Sequence, residues 1–147
     1  MFPTGSSLFE IFNVVLDVGA KLPIKAHDSD AGFDMFSRND AIIKAKNSEL
    51  FDTGVHIDIP EGYVGFLKSK SGLNCKHSIV SEGVIDAGYT GSIVIKLYNH
   101  GTADYIVRVG DKISQIVFLP IPKIMLAVVD DLKQTERGDA GFGSTGK

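Results

Sequence analysis

Apolar runs that are cut by glycine, proline, asparagine or aspartate before they reach helical length constrain this chain more than any other feature. Residues 8–16, 42–45, 49–59, 63–68, 93–98, 104–109, 113–119 and 124–129 read as strands. In the second of the longer runs Val55, Ile57 and Ile59 alternate with His56 and Asp58, the period of a half-buried strand. Pro60-Glu61-Gly62, Asn99-His100-Gly101 and Gly110-Asp111 supply turns between runs, and Pro120 and Pro122 close the last of the long ones. About ten short strands with at most one short helix give an all-β sandwich or barrel.

A chain of 147 residues fits one domain, and no repeat or low-complexity tract divides it. Fifteen basic against 18 acidic residues give a formal charge of −3, which lacks the basic excess that nonspecific nucleic-acid binding requires. No apolar run approaches the ~18 residues of a membrane span, so neither nucleic acid nor membrane is an expected partner. The lone Cys75 has no disulfide partner and no secretory leader is evident, so an intracellular location is expected, cytoplasmic or, in a eukaryote, nuclear.

Four stretches carry chemistry-bearing residues. Gly83, Val84, Ile85, Asp86, Gly88, Tyr89 and Gly91 lie between two β-branched runs, which places one carboxylate and one ring at the tip of a hairpin, with glycines that permit positive φ or close approach of a ligand. Lys68 and Lys70 precede Ser71-Gly72, where a serine cap and free N–H groups would open a short helix suited to an anion. Residues 27–34 hold Asp28, Asp30 and Asp34; Asn39 stands where a calcium loop would need its closing Glu, so on its own the cluster reads as a solvated turn. The tail from Glu136 is rich in glycine but also holds Arg137 and Phe142. Its last residues match most of a phosphate-binding P-loop, yet no Ser or Thr follows Lys147 and no strand and helix flank the match. What remains is flexible backbone N–H groups, hydroxyls and a cation able to wrap an anion, with a ring able to stack. Gln115 interrupts an apolar run and therefore sits at a strand end, on an exposed face or in a hydrogen bond. His27, His56, His77 and His100 form no ligand pattern and read as surface or packing residues, and Cys75 reads as a small packed residue.

Taken in order, five segments resemble the trimeric deoxyuridine triphosphatases. They are Asp30-Ala31-Gly32-Phe33-Asp34; Lys70-Ser71-Gly72-Leu73; Gly83-Val84-Ile85-Asp86 with Tyr89 and Gly91; Gly110-Asp111-Lys112-Ile113-Ser114-Gln115; and the stretch from Arg137-Gly138 to Gly146. The resemblance implies a distorted jelly-roll β-barrel over residues 1–135, a flexible glycine-rich arm over 136–147 that completes the active site, and a homotrimer whose three sites each draw on all three subunits. It implies hydrolysis of dUTP to dUMP and pyrophosphate with Mg²⁺, which keeps uracil out of DNA and supplies dUMP for dTMP synthesis. By resemblance, Asp86 activates the water that attacks the α-phosphorus, Tyr89 packs on the deoxyribose, and Gly83, Val84, Ile85 and Val94 line the uracil. Lys70, Ser71, Gly72, Gln115, Arg137, Gly143, Ser144 and Thr145 serve the phosphates, Phe142 covers the base, and Asp34 is an outer-shell carboxylate for the metal. Two positions depart from the pattern: Lys70 stands where arginine is usual and loses its bidentate fork, and Phe33 replaces tyrosine. The alternatives are a dCTP deaminase on the same fold and a non-catalytic nucleotide-binding trimer.

Overall fold

The structure is a computed structural model that describes residues 9–143. Ten strands and one helix make up the described chain: β1 (Val14–Leu16), β2 (Gly32–Phe36), β3 (Ala41–Ile43), β4 (Ser48–Asp52), β5 (Val55–Ile57), β6 (Tyr63–Lys68), α1 (Ser71–His77), β7 (Ile79–Ile85), β8 (Val94–Asn99), β9 (Tyr105–Val107) and β10 (Lys112–Pro120). All pairings are antiparallel. A six-stranded sheet runs in the order β2-β10-β6-β7-β8-β4, and two short pairs, β1-β5 and β3-β9, complete the curled all-β body.

The alternation read from sequence decides which face is inward. In β8, Ile95, Leu97 and Asn99 are buried while Val94, Lys96 and Tyr98 face outward. Ile95 and Leu97 join Met35, Ile43, Phe51, Val55, Ile57, Leu67, Val107, Ile113 and Ile116 in one continuous core. Each fully buried Ile or Leu contributes about 1.5–3 kcal/mol relative to exposure, so this cluster is the main source of stability.

Several expected bounds shift for identifiable reasons. The run 49–59 is two strands, because Gly54 at φ +67 breaks it. Thr53 stays buried at that corner by donating its hydroxyl to the Ile93 carbonyl at 2.6 Å. Within 8–16 only Val14–Leu16 pairs, with β5. The acidic cluster is not simply a solvated turn: its C-terminal half enters β2, and Asp34 is buried there. Residues 124–129 form no strand, because no described strand lies beside them. Every described residue from 121 to 139 is exposed, with Met125 and Leu126 at 95% and 96% of full exposure. Cys75 lies exposed on α1 and is not packed.

Candidate active site

The hairpin is real but splayed. Its first strand, β7, starts at Ile79 and pairs with β8 only through Ile79, Val80 and Ser81. Beyond Ser81 it follows β6, with Gly83 opposite Leu67 and Ile85 opposite Gly65, whereas β8 turns to β4, with Val94 opposite Asp52. The β8-facing edge of residues 82–85 therefore has no strand partner among the described residues, and its backbone donors and acceptors are open to a ligand. Gly83 fits closely there: a Cβ would lie 3.1 Å from the Leu67 side chain. The Val84 and Val94 side chains are exposed.

Residues 86–93 form the connecting loop. The Tyr89 N–H donates to the Asp86 carbonyl at 3.2 Å, and Gly88 at φ +84 donates to the Ile59 carbonyl at 3.3 Å. Tyr89 folds back over the backbone and donates its hydroxyl to the Ser92 carbonyl at 2.8 Å. Gly91, without a positive φ, is glycine for another reason: a Cβ there would lie 2.5 Å from the tyrosine oxygen. The loop is tied from outside as well. Ser92 donates to the Asp52 carboxylate, and its hydroxyl accepts from the Gly54 N–H at 2.9 Å. The Ser92 bond, then the Gly54 N–H that also donates to Asp52 at 3.1 Å, joined by Arg38 at 3.3 Å, hold the Asp52 carboxyl below its ordinary value. The Asp86 side chain is exposed at the end of β7 and makes no hydrogen bond or ion pair with a described residue, so its carboxylate is open to water and ligand.

A second cluster forms where β2, β10 and β6 meet. Gln115 lies opposite Asp34 on one side and Lys68 on the other. Its amide donates to the Ser69 carbonyl at 3.0 Å, which fixes the backbone just before Lys70 and the start of α1. The Gln115 side chain lies across Gly32, where any Cβ would collide with it. Asp34 receives the Lys70 ammonium in a very short contact and the Lys112 ammonium at 3.3 Å. Burial alone would raise the Asp34 carboxyl, but the two lysines outweigh it and hold the group below its usual value. Lys70 is the cap residue of α1 and Ser71 its first helical residue, one position later than a serine cap would require, and no side chain caps the helix. Ser71 and Gly72 are both exposed at this start.

The tail is a third, separate part. Arg137 donates its Nε–H to the Ala140 carbonyl at 2.6 Å and closes a local turn, which Gly138 at φ +56 permits. Phe142 stands fully exposed with φ +48, beside Gly143 at φ +90. Ser144 and Thr145 lie outside the described residues. The Lys68–Glu82 ion pair at 2.7 Å and the Ser81–Ser114 contact at 2.5 Å join the first two parts, whereas the tail makes no hydrogen bond or ion pair with either among the described residues.

No group of three or more His, Cys, Asp or Glu among the described residues is arranged to hold a metal ion. Asp34 is the buried carboxylate of the second cluster, shared with two lysines.

His56, which reads from sequence as a surface or packing residue, touches the 86–93 loop. His56, on the outward face of β5, bonds the Thr90 carbonyl at 2.7 Å and the Asp17 carboxylate at 3.0 Å. These contacts span 34 and 39 residues of sequence, so no local pattern announces them.

Comparison with known proteins agrees with this geometry. A family model described as dUTPase matches residues 19–146. A deoxyuridine 5'-triphosphate nucleotidohydrolase of Clostridium tetani is 44% identical over 136 residues, covering 90% of this chain and 94% of its own. Among solved structures, the Staphylococcus bacteriophage 80alpha dUTPase with dUPNHPP superposes with a TM-score of 0.88 at 31% identity, over 95% of this chain and all of that one. A variant dUTPase from phage phi11 of S. aureus, described with a structural Mg(II) ion, gives 0.79 at 29% identity over 85% of this chain and all of its own. An open strand edge, a carboxylate and ring on one tied loop, a lysine-flanked helix start and a matching length thus meet in one sequence: the chain belongs to the dUTPase family.

Proposed function

We infer that the protein hydrolyses dUTP to dUMP and pyrophosphate, with Asp86 orienting and activating the water that attacks the α-phosphorus. The observation that carries this reading is the open Asp86 carboxylate at the end of a strand whose neighbouring edge is unpaired. Uracil fits that edge: fixed backbone donors and acceptors matched to one base are left unpaired by cytosine, and such mismatches discriminate strongly. Tyr89, held by Ser92 and unobstructed at Gly91, presents its ring to the sugar and leaves no room for a 2′-hydroxyl. An aspartate is ionised at neutral pH but is a weak base, so orientation of the water is a large part of its work.

The phosphates require cations and N–H groups. Lys70, Ser71, Gly72 and Gln115 supply one set, and Arg137, Gly143, Ser144 and Thr145 of the arm supply another, with Phe142 over the base. Mg²⁺ carried by the triphosphate, with Asp34 in its outer shell, would neutralise charge on the phosphates. Lys70 does more than replace an arginine: its ion pair with Asp34 fixes the ammonium beside the helix start before substrate arrives. Because the described part of the arm makes no side-chain bond to the hairpin or to the lysine cluster of its own chain, and because the apolar stretch around Ile124, Leu126 and Val128 is bare, the working unit is a homotrimer in which subunits complete one another's sites.

The test is Asp86→Asn. The variant is expected to bind a non-hydrolysable dUTP analogue as the wild type does, while kcat falls by about 100-fold or more. Full activity would remove Asp86 from the reaction.

A further inference from the structure

We propose that His56 is a positioning residue for the sugar-discriminating turn: as an imidazolium it ties the Thr90 carbonyl to Asp17, and this tie sets how well the enzyme separates dUTP from UTP. The inference rests on the assignment of Tyr89 as the sugar check.

The two contacts determine the protonation of the ring. Thr90 offers a carbonyl and Asp17 a carboxylate, both acceptors only, so both ring nitrogens must donate and His56 must carry its proton. The carboxylates support that state. Hydrogen bonding to Asp17, then to the Thr90 carbonyl, raises the His56 pKa above the ordinary imidazole value, and the charges of Asp17 and Asp52 add to this. Asp58 lines the same groove, and Arg38 faces Asp52 from behind.

Loss of the proton does not affect the two bonds equally. The bond to Asp17 is charge-assisted and stronger, so the neutral ring keeps its proton on Nε2 and turns a lone pair on Nδ1 toward the Thr90 carbonyl. Two acceptors then face each other at 2.7 Å, and the turn must move. Thr90 is next to Tyr89, whereas Asp86 lies on the far side of a separate anchor, the Gly88 bond to Ile59. The displacement therefore falls on the tyrosine, so sugar choice and KM change more than kcat. By sign, the tie is complete below the His56 pKa and is lost as pH rises through it.

The experiment measures kcat and KM for dUTP and for UTP between about pH 5.5 and 9. The ratio of the two kcat/KM values cancels the titration of uracil and phosphate, which both nucleotides share. The expected result is a preference for dUTP that falls about three- to tenfold with rising pH, carried by KM. His56→Gln, which retains a neutral donor, should give a ratio independent of pH, and Asp17→Asn should move the midpoint to lower pH. A ratio that is flat in the wild type, or a wild-type profile in His56→Gln, overturns the proposal. NMR of the same trimer separates this from failure of the functional reading: the His56 ring and the Thr90 and Gly91 amides should titrate together whatever the enzyme hydrolyses, and a His56 titration without a response at Thr90 overturns the tie itself.

Discussion

Gly91 and Asp34 show how differently single residues disclose their work. Gly91 was legible as a special position, but its reason was not: the constraint is the ring folded over it, not a left-handed backbone. Gly91→Ala should push Tyr89 out of place, raise KM for dUTP about tenfold and weaken rejection of UTP, while thermal unfolding changes by no more than the ~1–3 kcal/mol of a local clash. Steady-state kinetics with both nucleotides checks this. Asp34 looked like a turn residue because three aspartates in seven positions favour solvent; its lysine partners come from 36 and 78 residues away along the chain. Its lowered pKa fixes the sign of a pH effect. The carboxylate contributes stability above its unfolded value, about 3.9, and that contribution is lost as pH falls through the lower folded value. Asp34→Asn should cost about 1–3 kcal/mol at neutral pH, discounted because both lysines are partly exposed, and the difference from wild type should shrink in acid. Urea titrations at several pH values measure it.

Among the elements, alternation made β8 and β5 readable with their faces, and turn residues marked most strand ends. What periodicity does not carry is partnership. It assigned a strand to 124–129, where β-branched residues have no neighbour in the described chain, and it placed a hairpin tip at Asp86 and Tyr89 without showing that β7 leaves β8 after Ser81. That departure is supported by a buried polar network behind β7. Ser114 gives its only hydroxyl proton to the Lys68 carbonyl at 2.9 Å, so in the 2.5 Å Ser81–Ser114 contact Ser81 must be the donor. Ser69 joins it by accepting from the Ser81 N–H at 3.0 Å. Ser114→Ala orphans both Ser81 and the Lys68 carbonyl and should cost about 1–3 kcal/mol. Adding Ser81→Ala should cost less than the sum of the two single changes, because no orphaned hydroxyl then remains. A double-mutant cycle by chemical denaturation gives the coupling directly.

For the molecule as a whole, the resemblance carried by five separated segments was legible from residue types and order alone, and the all-β body with one short helix follows from strand length and turn spacing. The assembly is less legible, because a bare apolar stretch and an exposed arm reveal what they need only when the body they leave is seen to be complete without them. Removing residues 137–147 should leave folding and oligomeric state unchanged and reduce turnover to a small residue, since this stretch has little apolar content to give a core. Removing residues 121–147 should in addition dissociate the oligomer. Size-exclusion chromatography with light scattering, beside the activity assay, distinguishes the two truncations.

The measurement that bears most directly on the whole account is pyrophosphate release from dUTP, dCTP, dTTP and UTP under identical conditions with Mg²⁺. On the proposed reading dUTP should exceed each of the others, because cytosine mismatches the open edge of β7 and a ribose hydroxyl meets Tyr89. Equal turnover of UTP and dUTP, or ammonia released from dCTP in place of pyrophosphate from dUTP, would contradict it.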